Sequence, residues 1–173
     1  MEPNLLLIIV SGLPGTGKST FAAALAKNIN ALHLNTDVIR DQLGLRGKYD
    51  AETKARIYQE MLSTTRFRLK ENQNVIVDAT FSNNEWRERF QKLADELHCT
   101  ISWLVVEANE AIIRERVAKK RVYSEADFSV YKKVRDNYDP IRYTHLVLRS
   151  DEHAVHEMIE QAKQYLYRSE KNS

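Results

Sequence analysis

Gly12-Leu13-Pro14-Gly15-Thr16-Gly17-Lys18-Ser19-Thr20 is the stretch on which the reading of this chain turns. It fits the pattern G-x-x-x-x-G-K-[ST]. The flanks fit as well: an apolar run, Leu5 to Val10, precedes it and an alanine-rich segment, Phe21 to Lys27, follows. Strand, loop and helix thus come in the order of a phosphate-binding loop. Glycines let backbone N–H groups curl around a polyphosphate without a Cβ in the way. The helix opening near Lys18 adds its free N–H groups and the positive end of its dipole. The nucleotide-contacting set is Gly12, Pro14, Gly15, Thr16, Gly17, Lys18, Ser19 and Thr20. In it Lys18 reaches the β- and γ-phosphates, the Ser19 hydroxyl is a magnesium ligand, and Thr20 backs the loop.

The bulk properties narrow the rest. A chain of 173 residues fits one domain, 1–173, with 43% hydrophobic and 29% charged residues and no internal repeat. A formal charge of +2 does not suit a surface that coats nucleic acid, so any polyanion site is focal. The single cysteine, Cys99, allows neither an internal disulfide nor a zinc cluster, which suits a reducing compartment. The run Leu5 to Val10 is too short to span a bilayer, and Glu2 stands where an export signal carries Lys or Arg. The expectation is a cytoplasmic protein with no membrane segment.

After the loop, a helix through Phe21, Ala24 and Leu25 is expected to run to about Asn28, and Ala31 to Leu34 forms a short strand. Thr36 or Asp37 then caps a helix beginning at Val38. Asp37 has two readings. It is either a structural cap, or a carboxylate at the end of a parallel strand, facing the crevice where such sheets bind ligands, in contact with an acceptor hydroxyl. Arg40, one turn on, shares its face and suits an anion. Gly44 and Gly47 bracket a basic turn. A long helix follows, with Tyr58, Met61, Leu62, Thr65 and Leu69 as its core stripe. Its charged face (Lys54, Arg56, Arg66, Arg68, Lys70) reads as solvated, with part of it lining a substrate cleft as the alternative.

Val75-Ile76-Val77-Asp78 has the form of a Walker B strand, and Asp78 would hold magnesium near Ser19. Ser82-Asn83-Asn84-Glu85 reads as a capping box. The helix behind it buries Trp86, Phe90, Leu93, Ala94 and Leu97, while Arg87 faces the crevice or water. Ile101 to Val106 is a further strand. Asn109 caps the helix after it, whose end is basic: Arg114, Arg116, Lys119, Lys120 and Arg121. Ser124 to Asp127 opens another helix, which Asp139-Pro140 stops. The arginine-rich segment, about 114–139, reads as a closing lid, with Arg116 and Arg121 its phosphate contacts and Arg114 in reserve. Tyr143 to Leu148 is the last strand. Ser150 or Asp151 caps the final amphipathic helix, in which His153 and His156 are structural.

Five short strands alternating with helices make an α/β three-layer domain. The chain resembles the small P-loop kinases, in particular the branch with polynucleotide 5′-hydroxyl kinases and zeta-toxin-like kinases. The resemblance rests on residues 12–20, on Asn-Thr-Asp-Val-Ile-Arg (35–40), on Val-Ile-Val-Asp-Ala-Thr (75–80), and more loosely on Arg116 to Asp127 running on to Asp139-Pro140-Ile141. It implies a parallel sheet in the order 2-3-1-4-5, ATP and magnesium as cofactors, and Asp37 as general base toward a hydroxyl acceptor. It also implies Arg40 as substrate anchor and Lys18 and the lid arginines on the phosphates. The acceptor is left open between a nucleic-acid 5′ end and a small metabolite. A regulatory NTPase without an acceptor is the alternative, although no Asn-Lys-x-Asp guanine signature is present.

Overall fold

The computed structural model describes residues 4–119 and 127–168. Its elements, in chain order, are β1 (Leu6–Ser11), α1 (Lys18–Ile29), β2 (Leu32–Asn35), α2 (Thr36–Gln42), α3 (Ala51–Lys70) and β3 (Val75–Asp78). Then come α4 (Asn84–Glu96), β4 (Thr100–Glu107), α5 (Glu110–Val117), α6 (Phe128–Asp136), β5 (His145–Arg149) and α7 (Val155–Arg168). The five strands form one parallel sheet in the order β2-β3-β1-β4-β5, as the resemblance implied.

β1 and β3 are apolar on both faces because both faces are covered. Leu7, Ile9, Val75 and Val77 pack under Ile57, Met61 and Leu69 of α3 and Phe90 of α4. Leu6, Ile8, Val10 and Ile76 pack under Phe21 and Leu25 of α1 and Met158 and Ala162 of α7. Burying one such side chain is worth about 2 kcal/mol, so the two layers fix the middle of the sheet firmly. The parallel register aligns Val10 with Asp78 and Asn35 with Asp78, which puts the carboxyl ends of β1, β2 and β3 side by side. Ligands bind at that edge in open α/β sheets.

Several boundaries differ from expectation for local reasons. α1 runs past Asn28 to Ile29, and the left-handed backbone of the next residue, Asn30 (φ 53°), lets the N–H of Ala31 return to the Ala26 carbonyl. The helix α4 is capped by Asn83, not by Ser82: the Asn83 side chain accepts from the Trp86 N–H. Neither Ser150 nor Asp151 caps α7, which starts at Val155, and the Glu157 carboxylate takes the Ala154 N–H there instead. Among the described residues no helix is long and apolar enough to cross a membrane. The Asn30 geometry gives a direct expectation. Asn30→Val loses about 1 to 2 kcal/mol in urea unfolding, because a β-branched residue resists the left-handed region, whereas Asn30→Gly is neutral or slightly stabilising.

Candidate active site

The loop between β1 and α1 has the shape its sequence calls for. A Cβ on Gly12 would lie 2.5 Å from the Val106 carbonyl oxygen of the neighbouring strand, so only glycine lets the chain leave β1 there. Gly17 caps α1 at φ 89° with no side-chain bond to the helix, which leaves the first N–H groups of the helix open to an anion. Thr16 is buried, and its hydroxyl donates to the Leu13 carbonyl, so it braces the turn.

Next to the loop, Asn35 ends β2 and uses its whole amide. Its Oδ1 accepts from the N–H groups of Asp37 and Val38, making Asn35 the cap of α2 in place of Thr36 or Asp37. Its Nδ2 donates to Ser19 Oγ at 3.0 Å and to Asp78 Oδ2 at 2.7 Å. His33 Nε2 lies 2.9 Å from the same Asp78 oxygen. Burial pushes the Asp78 carboxyl up, but the His33 and Asn35 bonds and the Lys18 ammonium outweigh it and hold the group below its ordinary range. The other oxygen, Oδ1, is buried and has no hydrogen-bond partner. A carboxylate with one oxygen unpaired and a hydroxyl are the hard oxygen donors that magnesium takes, with phosphate and water completing its shell, and the Asn35 amide nitrogen holds the two groups together through Asp78 Oδ2 and Ser19 Oγ. Ser19 and Asp78 therefore fit the ion. Among the described residues no group of three or more His, Cys, Asp or Glu is placed to hold a metal ion. His153 faces Glu157 at 3.7 Å.

Relieved of capping, Asp37 turns its side chain to Arg40, whose Nη1 donates to Asp37 Oδ1 at 2.6 Å. The Arg40 guanidinium is more than nine-tenths buried and lies 4.4 Å above the Tyr49 ring. Burial raises the Asp37 carboxyl above its ordinary value, although Arg40 and Lys18 pull the other way. Lys18, Ser19, Asp37 and Arg40 all line one cleft of about 420 Å³, together with Tyr49, Lys54, Tyr58 and, from α6, Val130 and Val134. Of the loop residues, Pro14, Gly15, Gly17 and Thr20 line it too, while Gly12 and Thr16 support it from outside that wall.

The family model described as AAA domain matches residues 7–141, from the first strand to the residues that follow α6. The chain belongs to the AAA domain family. An uncharacterized protein of Mycobacterium tuberculosis is 30% identical over 126 residues, covering 66% of this chain and 25% of that protein. The chain thus spans about a quarter of the length of the curated relatives it matches. The AAA domain fold here is that of the small P-loop kinases. The APS kinase CysC of Mycobacterium tuberculosis, solved with AMPPNP and APS, superposes with a TM-score of 0.74 at 17% identity, covering 95% of this chain and 98% of that one. A gluconokinase from Sinorhizobium meliloti gives 0.72 at 16% identity, with 95% and 93% covered.

One arginine expected in the lid, Arg116, is placed by its hydrogen bonds against the loop. Arg116, in the last turn of α5, lies behind the loop: its Nη1 donates to the carbonyls of Thr16 (3.1 Å) and Gly15 (3.4 Å) and to Ser150 Oγ (2.8 Å). Ser150 Oγ in turn donates to the Thr16 carbonyl. Arg116 thus braces the loop's backbone. Arg121 lies outside the described residues. Arg114 stacks over the Phe128 ring of α6 at 4.2 Å.

Arg87 faces neither crevice nor water and is fully buried. Its guanidinium donates to the carbonyls of Phe81, Asp139 and Pro140 and to Asn84 Oδ1, and it covers the Tyr138 ring at 4.9 Å. Phe81 needs such support because its φ of 49° is a backbone state that costs about 1 to 3 kcal/mol, and the Tyr58 hydroxyl also takes its N–H. Tyr138 reaches Ser11 Oγ at 2.7 Å, and Ser11 donates to the Thr80 carbonyl. The strap that leaves α6 is therefore tied to the ends of β1 and β3. The sequence carried a signal for Arg87, since it precedes Phe90 and Ala94 by three and seven residues, the spacing of the buried stripe itself. Arg87→Met should lose about 3 kcal/mol in chemical unfolding by stranding three carbonyls. Arg87→Lys should rescue less than half of that loss, because an ammonium lacks the planar fork.

Proposed function

We propose that the chain is an ATP-dependent phosphotransferase that moves the γ-phosphoryl group of ATP to an alcohol acceptor. The observation that carries this reading is the placement of Asp37. Its carboxylate is oriented by Arg40 and shares one cleft with Lys18 and the loop. Phosphoryl transfer asks a protein mainly to align the acceptor and to neutralise charge, and the cleft offers both. The loop N–H groups and Lys18 hold the β- and γ-phosphates. Asp37 accepts a hydrogen bond from the acceptor hydroxyl and points its oxygen at the γ-phosphorus. As the new O–P bond forms, the bond from that phosphorus to the β,γ-bridging oxygen breaks. Its electron pair leaves with ADP, and the hydroxyl proton passes to Asp37 and then to solvent. Magnesium, held through Ser19 and Asp78, would supply positive charge against the phosphate oxygens.

The raised carboxyl of Asp37 suits a general base, because it binds the departing proton more firmly than an ordinary carboxylate does. Arg40 would serve the acceptor as well as the base. Fold likeness to the APS kinase and the gluconokinase supports the reaction class and leaves the acceptor to be identified.

Asp37→Asn preserves shape and removes the base. It is expected to lower kcat for phosphoryl transfer by about 10²- to 10⁴-fold while AMPPNP still binds in calorimetry. The acidic limb of the wild-type kcat/KM profile should lie above the ordinary aspartate value of 3.8, as activity falls when Asp37 gains its proton. A fully active Asp37→Asn enzyme would remove this residue from the reaction, and steady ATP hydrolysis with no labelled acceptor would favour a regulatory NTPase instead.

A further inference from the structure

We propose that His33 is a positioning residue for the cation: its Nε2 is anchored on Asp78, and its Nδ1 accepts a hydrogen bond from a water of the magnesium shell. This deepens the phosphotransferase reading and rests on it for the nucleotide and its metal.

Asp78 is fully buried and does not line the cleft, and its unpaired Oδ1 has no open surface. His33 and Asn35, which do line the cleft, stand in front of it. Their placement follows from β2. Residues 33 and 35 share one face of that strand, opposite Leu32 and Leu34, which join the core layer under α3. The parallel register sets Asn35 beside Asp78 and His33 two residues back, beside Ile76, and both side chains reach the same oxygen, Asp78 Oδ2. Asn35 commits its whole amide to Ser19, Asp78 and the cap of α2. His33 has a nitrogen left over.

An ionised carboxylate only accepts hydrogen bonds, so Nε2 donates to it and the neutral ring carries its lone pair on Nδ1. That atom makes no hydrogen bond among the described residues, and it is not closed off from solvent as Asp78 Oδ1 is. The His33 side chain is 21% exposed although its Nε2 end rests on a carboxylate that is 0% exposed, so the outward part of the ring is what meets the cleft. A ring fixed by a carboxylate behind and open in front is how histidines are oriented at metal sites. Magnesium prefers oxygen and keeps several waters, so a water fits between Nδ1 and the ion. Ser19 Oγ, held by the Asn35 amide, supplies the nearby protein oxygen. A purely structural His33 would need Nε2 alone.

Two substitutions separate the nitrogens. His33→Gln keeps a donor where Nε2 stood and leaves no acceptor at the Nδ1 position. His33→Asn keeps an acceptor near Nδ1 and gives up the reach to Asp78. Calorimetry measures magnesium binding to the AMPPNP-loaded protein and, separately, AMPPNP binding without metal. Magnesium is expected to bind His33→Gln about 10- to 100-fold more weakly than wild type, with the magnesium concentration for half-maximal ATP turnover raised by the same factor. Metal-free AMPPNP affinity and the urea midpoint should stay as they are, and His33→Asn should lose less magnesium affinity than His33→Gln. Electron spin echo spectra of the manganese-loaded wild type should show no directly bound imidazole nitrogen. Wild-type magnesium affinity in His33→Gln, a greater loss in His33→Asn, an equal loss of metal-free AMPPNP affinity, or a directly bound nitrogen each overturns the proposal and leaves the phosphotransferase standing. The expected magnesium loss with no acceptor labelled from ATP upholds His33 and counts against phosphoryl transfer. A wild type that binds neither AMPPNP nor magnesium overturns both.

Discussion

The side-chain amide of Asn35 is the joint on which the site depends. Its oxygen stops β2 from running on by capping α2, and its nitrogen spans Ser19 of the loop helix and Asp78 of the central sheet. Three segments far apart in sequence are thereby held at one corner of the sheet. Aspartate at this position would set a second carboxylate against Asp78 with no donor between them. Alanine would release α2 and the magnesium-fitting pair together. The cap also frees the next acid along the chain, and that freedom is why Asp37 can reach Arg40.

Two carboxylates then sit in one site with opposite tendencies. Asp78 is buried yet held low by His33, Asn35 and Lys18, whereas Asp37 is half-buried with less compensation and shifts upward. A carboxylate that stays charged suits a cation, and one that takes a proton more readily suits a hydroxyl. Environment assigns the two roles, as in other sites where paired acids are pushed apart. The His33 and Asn35 bonds to Asp78 contribute stability that is present above the unfolded pKa. It is lost as pH falls through the lower folded value.

Much of this was legible in the chain. The loop, the Asp78 strand and the alternation of strands with helices follow from glycine spacing and from runs of β-branched residues, which are local signals. Asn109 was likewise readable as a cap, and its side chain accepts from the Ala111 N–H. Asn35 was harder, because a cap and a cross-sheet bridge need the same residue type and only the parallel register shows that it does both. Arg87 was misread because charge was given more weight than period, although two of its partners are carbonyls from a segment some fifty residues away, which no local window contains. The place of Arg116 depends on how α5 packs behind the loop, a tertiary fact without a local signature.

That last placement bears on how the loop meets its ligand. Arg116 and Ser150 engage the oxygens of Gly15 and Thr16 from the rear, and a peptide plane gripped at its oxygen cannot swing the hydrogen on its other end. The hollow is thus set in its receptive form before any guest arrives, and little entropy remains to be lost on docking. The same grip couples rigidity to distance: loosening β5 at Ser150, on the opposite flank of the sheet from Asp37, would blur the cradle without touching a single residue that faces the nucleotide.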